Sequence, residues 1–461
     1  MKLLTAFLQI SSEVEAFAQQ RTKHRAQRLW LSALLCLGRK WITRMITTAN
    51  RDQRDWSGDY KVFNRSPWST HNLFEPVIKR SLQYSNPQDP IIIAGDETKL
   101  KRAGNRIKLS TWLRDPLSPP FRINLMKGIR FVQFSVLLPL HRLHDVSARA
   151  VPASFETIKI PRKPRKNASP EEKAAYEKAK SENSMCKQAL LQMHMLRKQY
   201  DVCAAAGARM LLFVLDGGFC NRTIFRELLE RTRVLARCRK DAKLCFLSTD
   251  PLHPKRIYSP DKFTPEEVRT NNTPWQKKMF FIGGKYRPIR FKERTKVLWQ
   301  RGSGQKFLRL IVLAPTPYRL SPRSKVNYRQ PAYFLCDDLD LPIELLIQAA
   351  LDRWQIEVNH RDEKQHIGIG HPQVWNDDAV DRLPAFMVAA YSFLLLASLQ
   401  AYGAKRTDDY IRPPKWQRRR SRPSCLDLLS QLRKEALSHP ELLQPLQIEF
   451  NATLAIQKAA A

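Results

Sequence analysis

Ile91-Ile92-Ile93-Ala94-Gly95-Asp96 is the stretch on which the fold turns. It follows Asp89-Pro90, is short, and has no polar position before the Asp, which reads as a buried strand. It stops at a carboxylate and leads out through Glu97-Thr98-Lys99. The pattern returns at Arg209-Met-Leu-Leu-Phe-Val-Leu, which stops at Asp216-Gly217-Gly218. One strand-end Asp is as well explained by a turn as by catalysis. Two, separated by a strand-rich segment and a helix, are stronger evidence.

The separating segment supplies the topology. Residues 128–140 alternate and then become continuously apolar, so they read as strand, with another near Ile107–Trp112. A hairpin or meander therefore follows Asp96. Ser169-Pro170-Glu171-Glu172 is a capping box with Pro at the first helical position. It predicts a long helix towards Cys203, polar at first and apolar later. A strand, a meander, a crossover helix and a second strand lie side by side in a mixed sheet, and the two Asp then approach one another.

The third component is Arg353-Trp-Gln-Ile-Glu-Val-Asn-His-Arg-Asp-Glu-Lys364. It holds helix formers without Gly or Pro. At roughly 100° per residue, Arg353, Glu357, Arg361 and Lys364 fall within an arc of about 80°. One carboxylate thus shares a face with three cations. A solvated face mixes charges in this way too, but Asp96, Asp216 and Glu357 together form a set of hard oxygen donors suited to Mg²⁺ or Mn²⁺. Two such ions, roughly 3.5–4 Å apart, serve phosphodiester cleavage by activating the attacking oxygen and stabilising the leaving one. Nucleophile-elbow, P-loop, zincin and dinucleotide-binding motifs are missing.

Composition agrees. The 461 residues carry 79 Lys plus Arg against 43 Asp plus Glu, a net charge of +36. An excess of that size points to a polyanion, with nucleic acid favoured over membrane. The eight Cys form no C-x-x-C pair, which argues against a zinc finger or disulfide framework and suits a reducing cytosol. The apolar run Phe386–Leu399 reads as a buried helix.

Residues 1–86 are expected to be helical and to bind DNA. Gly38 between two amphipathic helices, with Arg39, Lys40 and Arg44 at the second, is compatible with a helix-turn-helix or an ordinary helical hairpin. The catalytic core is expected over 87–248 and 337–404, a β-rich basic insertion over 249–336, and a basic tail with a final helix over 405–461.

These residues resemble a family. The order Asp, Asp, Glu on strand, strand and helix is similar to the RNase H-like DDE transposases of bacterial insertion sequences. Arg353-x₃-Glu357-x₆-Lys364 resembles the Tyr-x₂-Arg-x₃-Glu-x₆-Lys signature of one cut-and-paste group with a β-rich insertion. Ala350 stands where that signature has Tyr. The resemblance covers about residues 90–376. It implies an α/β, RNase H-like mixed sheet flanked by helices and a site of Asp96, Asp216 and Glu357 holding Mg²⁺ or Mn²⁺, two ions. It also implies Arg353 and Lys364 near the cleaved end; Arg361 on the same helix face, and Arg39, Lys40 and Arg44 at the possible helix-turn-helix, are expected as further DNA contacts. Double-stranded DNA is the implied partner, with a homodimer on paired ends and a bacterial cytoplasmic, nucleoid-associated location. Trp275 or Trp299 could stack on an unpaired base, but a core role is the plainer reading. The same holds for His360, His366 and His371 as helix-surface or loop residues. Strand alternation turns Glu97 away from Asp96, and Asp362 and Glu363 are expected to pair with nearby cations.

The alternatives are a nuclease of the same fold that does not transpose, and an inactive DNA-binding regulator.

Overall fold

The computed structural model describes residues 2–115, 118–119, 121–139, 146–203, 209–227, 229–321, 323–404, 416 and 422–451. Most of the expected basic stretch before Arg422 lies outside these residues.

The strands are β1 (Ile91–Lys101), β2 (Thr111–Arg114), β3 (Leu125–Leu138), β4 (Arg149–Thr157), β5 (Leu211–Leu215), β6 (Thr232–Arg237), β7 (Leu244–Leu247), β8 (Tyr258–Phe263), β9 (Gln276–Ile282), β10 (Lys285–Leu298), β11 (Phe307–Leu313), β12 (Pro317–Tyr318), β13 (Asn327–Tyr328) and β14 (Ala332–Cys336). β1, β3 and β4 form the expected antiparallel meander. β5 then joins β1 in parallel, and β6 joins β5 in parallel. This is an RNase H-like mixed sheet.

Most strands of residues 249–336, the β-rich stretch, join the main sheet. β14 pairs with β6, β11 with β14 and β10 with β11, so one 12-stranded sheet runs from β2 to β8. The apolar runs of β11 and β14 explain this, because nearly every residue in them is buried.

The helices are α1 (Leu3–Ser12), α2 (Gln20–Leu35), α3 (Ile42–Thr48), α4 (Ser57–Asn64), α5 (Glu75–Ser81), α6 (Pro170–Glu182), α7 (Met185–Val202), α8 (Arg222–Phe225), α9 (Pro265–Thr270), α10 (Ile343–Asp352), α11 (Gln355–Asp362), α12 (Asp377–Tyr402) and α13 (Cys425–Ser438). The capping box at Ser169 opens α6, but the long helix expected from there breaks at Asn183, and Ser184 opens α7. The predicted single helix through Arg353–Lys364 is also interrupted. Arg353 and Trp354 form a tightened turn in which Trp354 N–H donates to the Leu351 carbonyl. After Asp362 a π-helical turn spans Glu363–Ile367 and ends at Gly368 with φ +71. A side chain there would strike the His371 ring.

α12 organises one face of the sheet. It is long and apolar enough to cross a membrane by composition, but 94% of its most apolar window is buried inside the protein. α1, α2 and α4 pack on it, so the N-terminal helices share a core with the sheet. Trp30 of α2 is the joint. It stacks on Phe386 at 4.8 Å, meets Phe393 edge-on at 5.0 Å, and donates Nε1–H to the Phe386 carbonyl at 3.0 Å. α10 covers the other face, where Leu346 and Ile347 join Ile92, Ala94, Leu212 and Val214 in a second core.

Glu363 differs from expectation. Among the described residues it makes no ion pair; its carboxyl is buried in the π turn and accepts a hydrogen bond from Gln133 Nε2 at 2.9 Å. Burial pushes its pKa up from 4.5 to about 8. The folded protein therefore holds a proton that the unfolded chain releases above about pH 4.5. The stabilising contribution is full below that pH and is lost as pH rises through about 8.

Two predictions follow from these contacts. Trp30→Ala should cost about 3–5 kcal/mol in chemical denaturation, the range for truncating a buried aromatic. Glu363→Gln should match wild-type stability near pH 4.5, exceed it at pH 8–9, and flatten the loss of stability with pH above 4.5; an unchanged pH slope in thermal melts would show that the carboxyl stays ionised.

Candidate active site

Register decides where the two Asp stand. Gly95 pairs with Leu215 across the parallel β1–β5 ladder, so the next residues, Asp96 and Asp216, are neighbours on adjacent strands. Alternation puts them on the face of Ile92, Ala94, Leu212 and Val214, under α10 and α11. Gly95 is required at this point: a Cβ there would lie 2.6 Å from both Leu215 and Phe134 side-chain atoms. Asp96 is not at a strand end, as the sequence suggested. β1 continues to Lys101 because β3 pairs with it through that residue, while β5 stops at Leu215. The parallel neighbour ends and leaves Asp96 open on that side.

Glu357 comes down from α11, and one guanidinium links all three carboxylates. Arg353 lies 3.4 Å from Asp96 Oδ2, 3.8 Å from Asp216 Oδ1 and 3.1 Å from Glu357 Oε1. Its side chain is 10% exposed, against 41% for Asp216, so the cluster opens to solvent on the Asp216 side. Burial raises the Asp96 pKa to about 6; Arg353 and the Glu97 N–H oppose it, while Asp216 and Glu357 add to it as like charges. Burial also raises Glu357, against the pull of Arg353.

Among the described residues, no three His, Cys, Asp or Glu side chains stand close enough as placed to hold a metal ion. Arg353 occupies the middle of the carboxylates instead. The donor chemistry nevertheless fits a hard divalent cation: three carboxylates of one sign meet around a single positive group. Asp96, Asp216 and Glu357 would hold such a cation by taking it in place of contacts they now make to Arg353.

Other predicted residues distribute unevenly. Lys364 is exposed, yet enough protein surrounds it to lower its pKa, and Asp96 is among the charges acting on it. Arg361 pairs with Asp362 at 3.0 Å and makes no ion pair to the cluster. Lys40 is a correction: it is buried, its ammonium donates to the Cys36 carbonyl, and desolvation lowers its pKa to about 8. A group so enclosed does not face DNA. Arg39 is exposed, and it and Arg44 lie over the Trp41 ring at 6.0 and 5.4 Å. Trp275 is covered by Lys292 at 4.7 Å, and Trp299 meets Phe225 at 5.9 Å, so both are engaged within the protein. Ala350 packs against the core beneath α10. Glu97 pairs with Arg130 at 3.3 Å and with Lys99 at 3.4 Å. His366 lies 3.9 Å from Asp362, and His371 Nδ1 accepts the Lys40 N–H at 3.3 Å.

One neighbour went unread in the sequence. Leu215 pairs with Ala236, so Arg237 stands beside Asp216 as Asp216 stands beside Asp96. Its charge favours ionised Glu357. The signal was a third short apolar strand, Val234-Leu235-Ala236, ending at a charged residue. His360, expected at the helix surface, instead has a buried Nε2 without a hydrogen-bond partner among the described residues, and burial with Lys364 and Arg353 pushes its pKa down to about 3, so it is neutral.

A family model described as DDE superfamily endonuclease matches residues 14–305, well over half of the chain. The matched stretch contains Asp96 and Asp216 and ends before Glu357. No curated protein matches the chain significantly. With two neighbouring Asp on the first and second parallel strands of an RNase H-like sheet, inside the matched stretch, this chain belongs to the DDE superfamily endonucleases.

Proposed function

We propose that this endonuclease is a DNA transposase, which cuts the ends of its own element and joins the freed 3′-hydroxyl to target DNA. The observation that carries the reading is the meeting of Asp96, Asp216 and Glu357 around one guanidinium, on the open edge left where β5 ends. Divalent metal ions are general to this family, and Mg²⁺ or Mn²⁺, two ions, is our assignment. Bound there, the metal would supply Lewis-acid stabilisation of the attacking and leaving oxygens. The protein's own part is positional. The two Asp are fixed by strand register, and Glu357 by the packing of Ile356 into the core under α10. Arg353, once a cation takes its carboxylates, can turn its fork of donors to a phosphate. Lys364 and Arg237 flank the cluster with positive charge, which favours a polyanion at its mouth. We place the chain as a homodimer on paired ends in the bacterial cytoplasm, with Arg39 and Arg44 as outlying DNA contacts. Ala350 in place of the signature Tyr leaves end processing to other residues.

Asp96→Asn, Asp216→Asn and Glu357→Gln should each lower strand cleavage under Mg²⁺ or Mn²⁺ by more than the roughly 10–100-fold that loss of a supporting partner costs, while binding of an end oligonucleotide survives. Cleavage at wild-type rate by any one of them would remove that residue from the site. Products in which an oligonucleotide 3′ end is joined to a plasmid separate the transposase from a nuclease that only cuts. Arg353→Ala leaves three carboxylates without their common partner. Its melting temperature should fall in chelator and be raised by Mg²⁺ more than that of the wild type, because ligand binding to the folded state stabilises it. An equal Mg²⁺ response in both proteins would place the cation elsewhere.

A further inference from the structure

Beyond the cluster, β1 runs on to Lys101 and ends beside the segment that follows the π turn. Arg102 ties the two together by donating to the Gly370 carbonyl and, at 3.3 Å, to the Ile369 carbonyl. A cavity of about 680 Å³ opens there. Its wall includes Arg39, Lys101, Arg102, Arg106, His371 and Trp375, and no Asp or Glu. Among the described residues, Arg39, Lys101 and Arg106 pair with no carboxylate. The Trp375 ring is 63% exposed. Arg106 lies over it at 5.9 Å, so a flat aromatic surface and a cation are presented together.

We propose that this cavity holds an unpaired nucleotide of the DNA strand that enters the active site, its base stacked on Trp375 and its phosphates on Lys101, Arg106 and Arg39. The inference rests on the DNA-cutting reading of the cluster for its ligand, and on the cavity for its form. An exposed Trp amid cations, with no acidic group in the wall, is the composition that binds single strands, since each base has a face to stack and each phosphate a charge to meet. A volume of this size admits a splayed-out nucleotide. The placement also fits. Five residues of strand separate Lys101 from Asp96, about 16 Å at roughly 3.3 Å per residue. That is the length of about five steps at 3.4 Å along one DNA strand. Lys364 sits between, close enough to Asp96 and Lys99 for their charges to interact. The cavity would therefore hold DNA several nucleotides from the cut, where strand ends must be separated or kept apart.

The test uses the full chain in chelator, so that cleavage plays no part, and a fluorescent twelve-nucleotide oligothymidylate as probe. Trp375→Ala should weaken its binding roughly tenfold, the effect of losing one stacked base, and Trp375→Phe should restore most of it. Arg106→Ala should lower the salt dependence of binding, the slope of log K against log salt, by roughly 0.7. A duplex of the same length should lose less than the single strand in Trp375→Ala. Wild-type affinity in Trp375→Ala, or equal losses for duplex and single strand, overturns the proposal. Asp96→Asn separates the two readings: if it binds the oligonucleotide like wild type but cuts nothing, the cluster stands whether or not the cavity does.

Discussion

The pairing of β1 with β5 in parallel and in register is the constraint on which the rest depends. It makes Asp96 and Asp216 neighbours without any help from side-chain packing. The β5–β6 register adds Arg237 at the same level. Three adjacent strands thus deliver two carboxylates and a guanidinium in a row. On the opposite face of the sheet Gly95 leaves room for the Leu215 and Phe134 side chains. A bulkier residue there would collide with both side chains and disturb the packing directly beneath the two Asp. Fold and site are therefore the same constraint at this level of the sheet.

Placing carboxylates of one sign together under a helix is unfavourable, because burial and mutual repulsion both disfavour their ionised forms. Arg353 answers this. It turns inward from the tightened turn between α10 and α11 and meets all three. In the protein without metal, then, the guanidinium does electrostatically what a divalent cation does more strongly. Removing one group from a buried charge network costs more than the network contributes whole. That is why an exchange of partners, rather than simple insertion of a cation, is the natural course at this site.

Much of this was legible in the sequence because it rests on short-range patterns. The apolar runs ending at Asp96 and Asp216, the capping box at Ser169, and the Arg–Glu spacing of 353 and 357 are each set by neighbours within a few residues. What the sequence hid depends on long-range pairing. The length of β1 past Asp96 follows from β3 continuing after β5 has stopped, and no local signal records where a partner ends. The merging of the later strands into the sheet follows from β14 finding β6 across a gap of about a hundred residues. Lys40 looked like a surface cation; it is buried because its four-carbon stem lets the ammonium reach the Cys36 carbonyl inside the turn. Glu363 looked like a partner for a nearby cation and is enclosed instead, where it accepts from Gln133.

The π turn has a further consequence for the site. An α-helix continued from Glu357 would carry the chain straight on past Lys364. Instead the turn and Gly368 fold it back, so that Ile369 and Gly370 reach the outgoing half of β1 and are held there by Arg102. The residue that supplies the third carboxylate and the loop that carries Trp375 are therefore both located against the same strand, one beside Asp96 and the other beside Lys101. A strand is stiff along its length, and β1 is paired on its β3 side throughout this span. The distance between carboxylates and aromatic cavity is thereby fixed by backbone, not by loop conformation. Any strand of DNA held at both places must span that fixed distance, and β1 acts as the ruler between them.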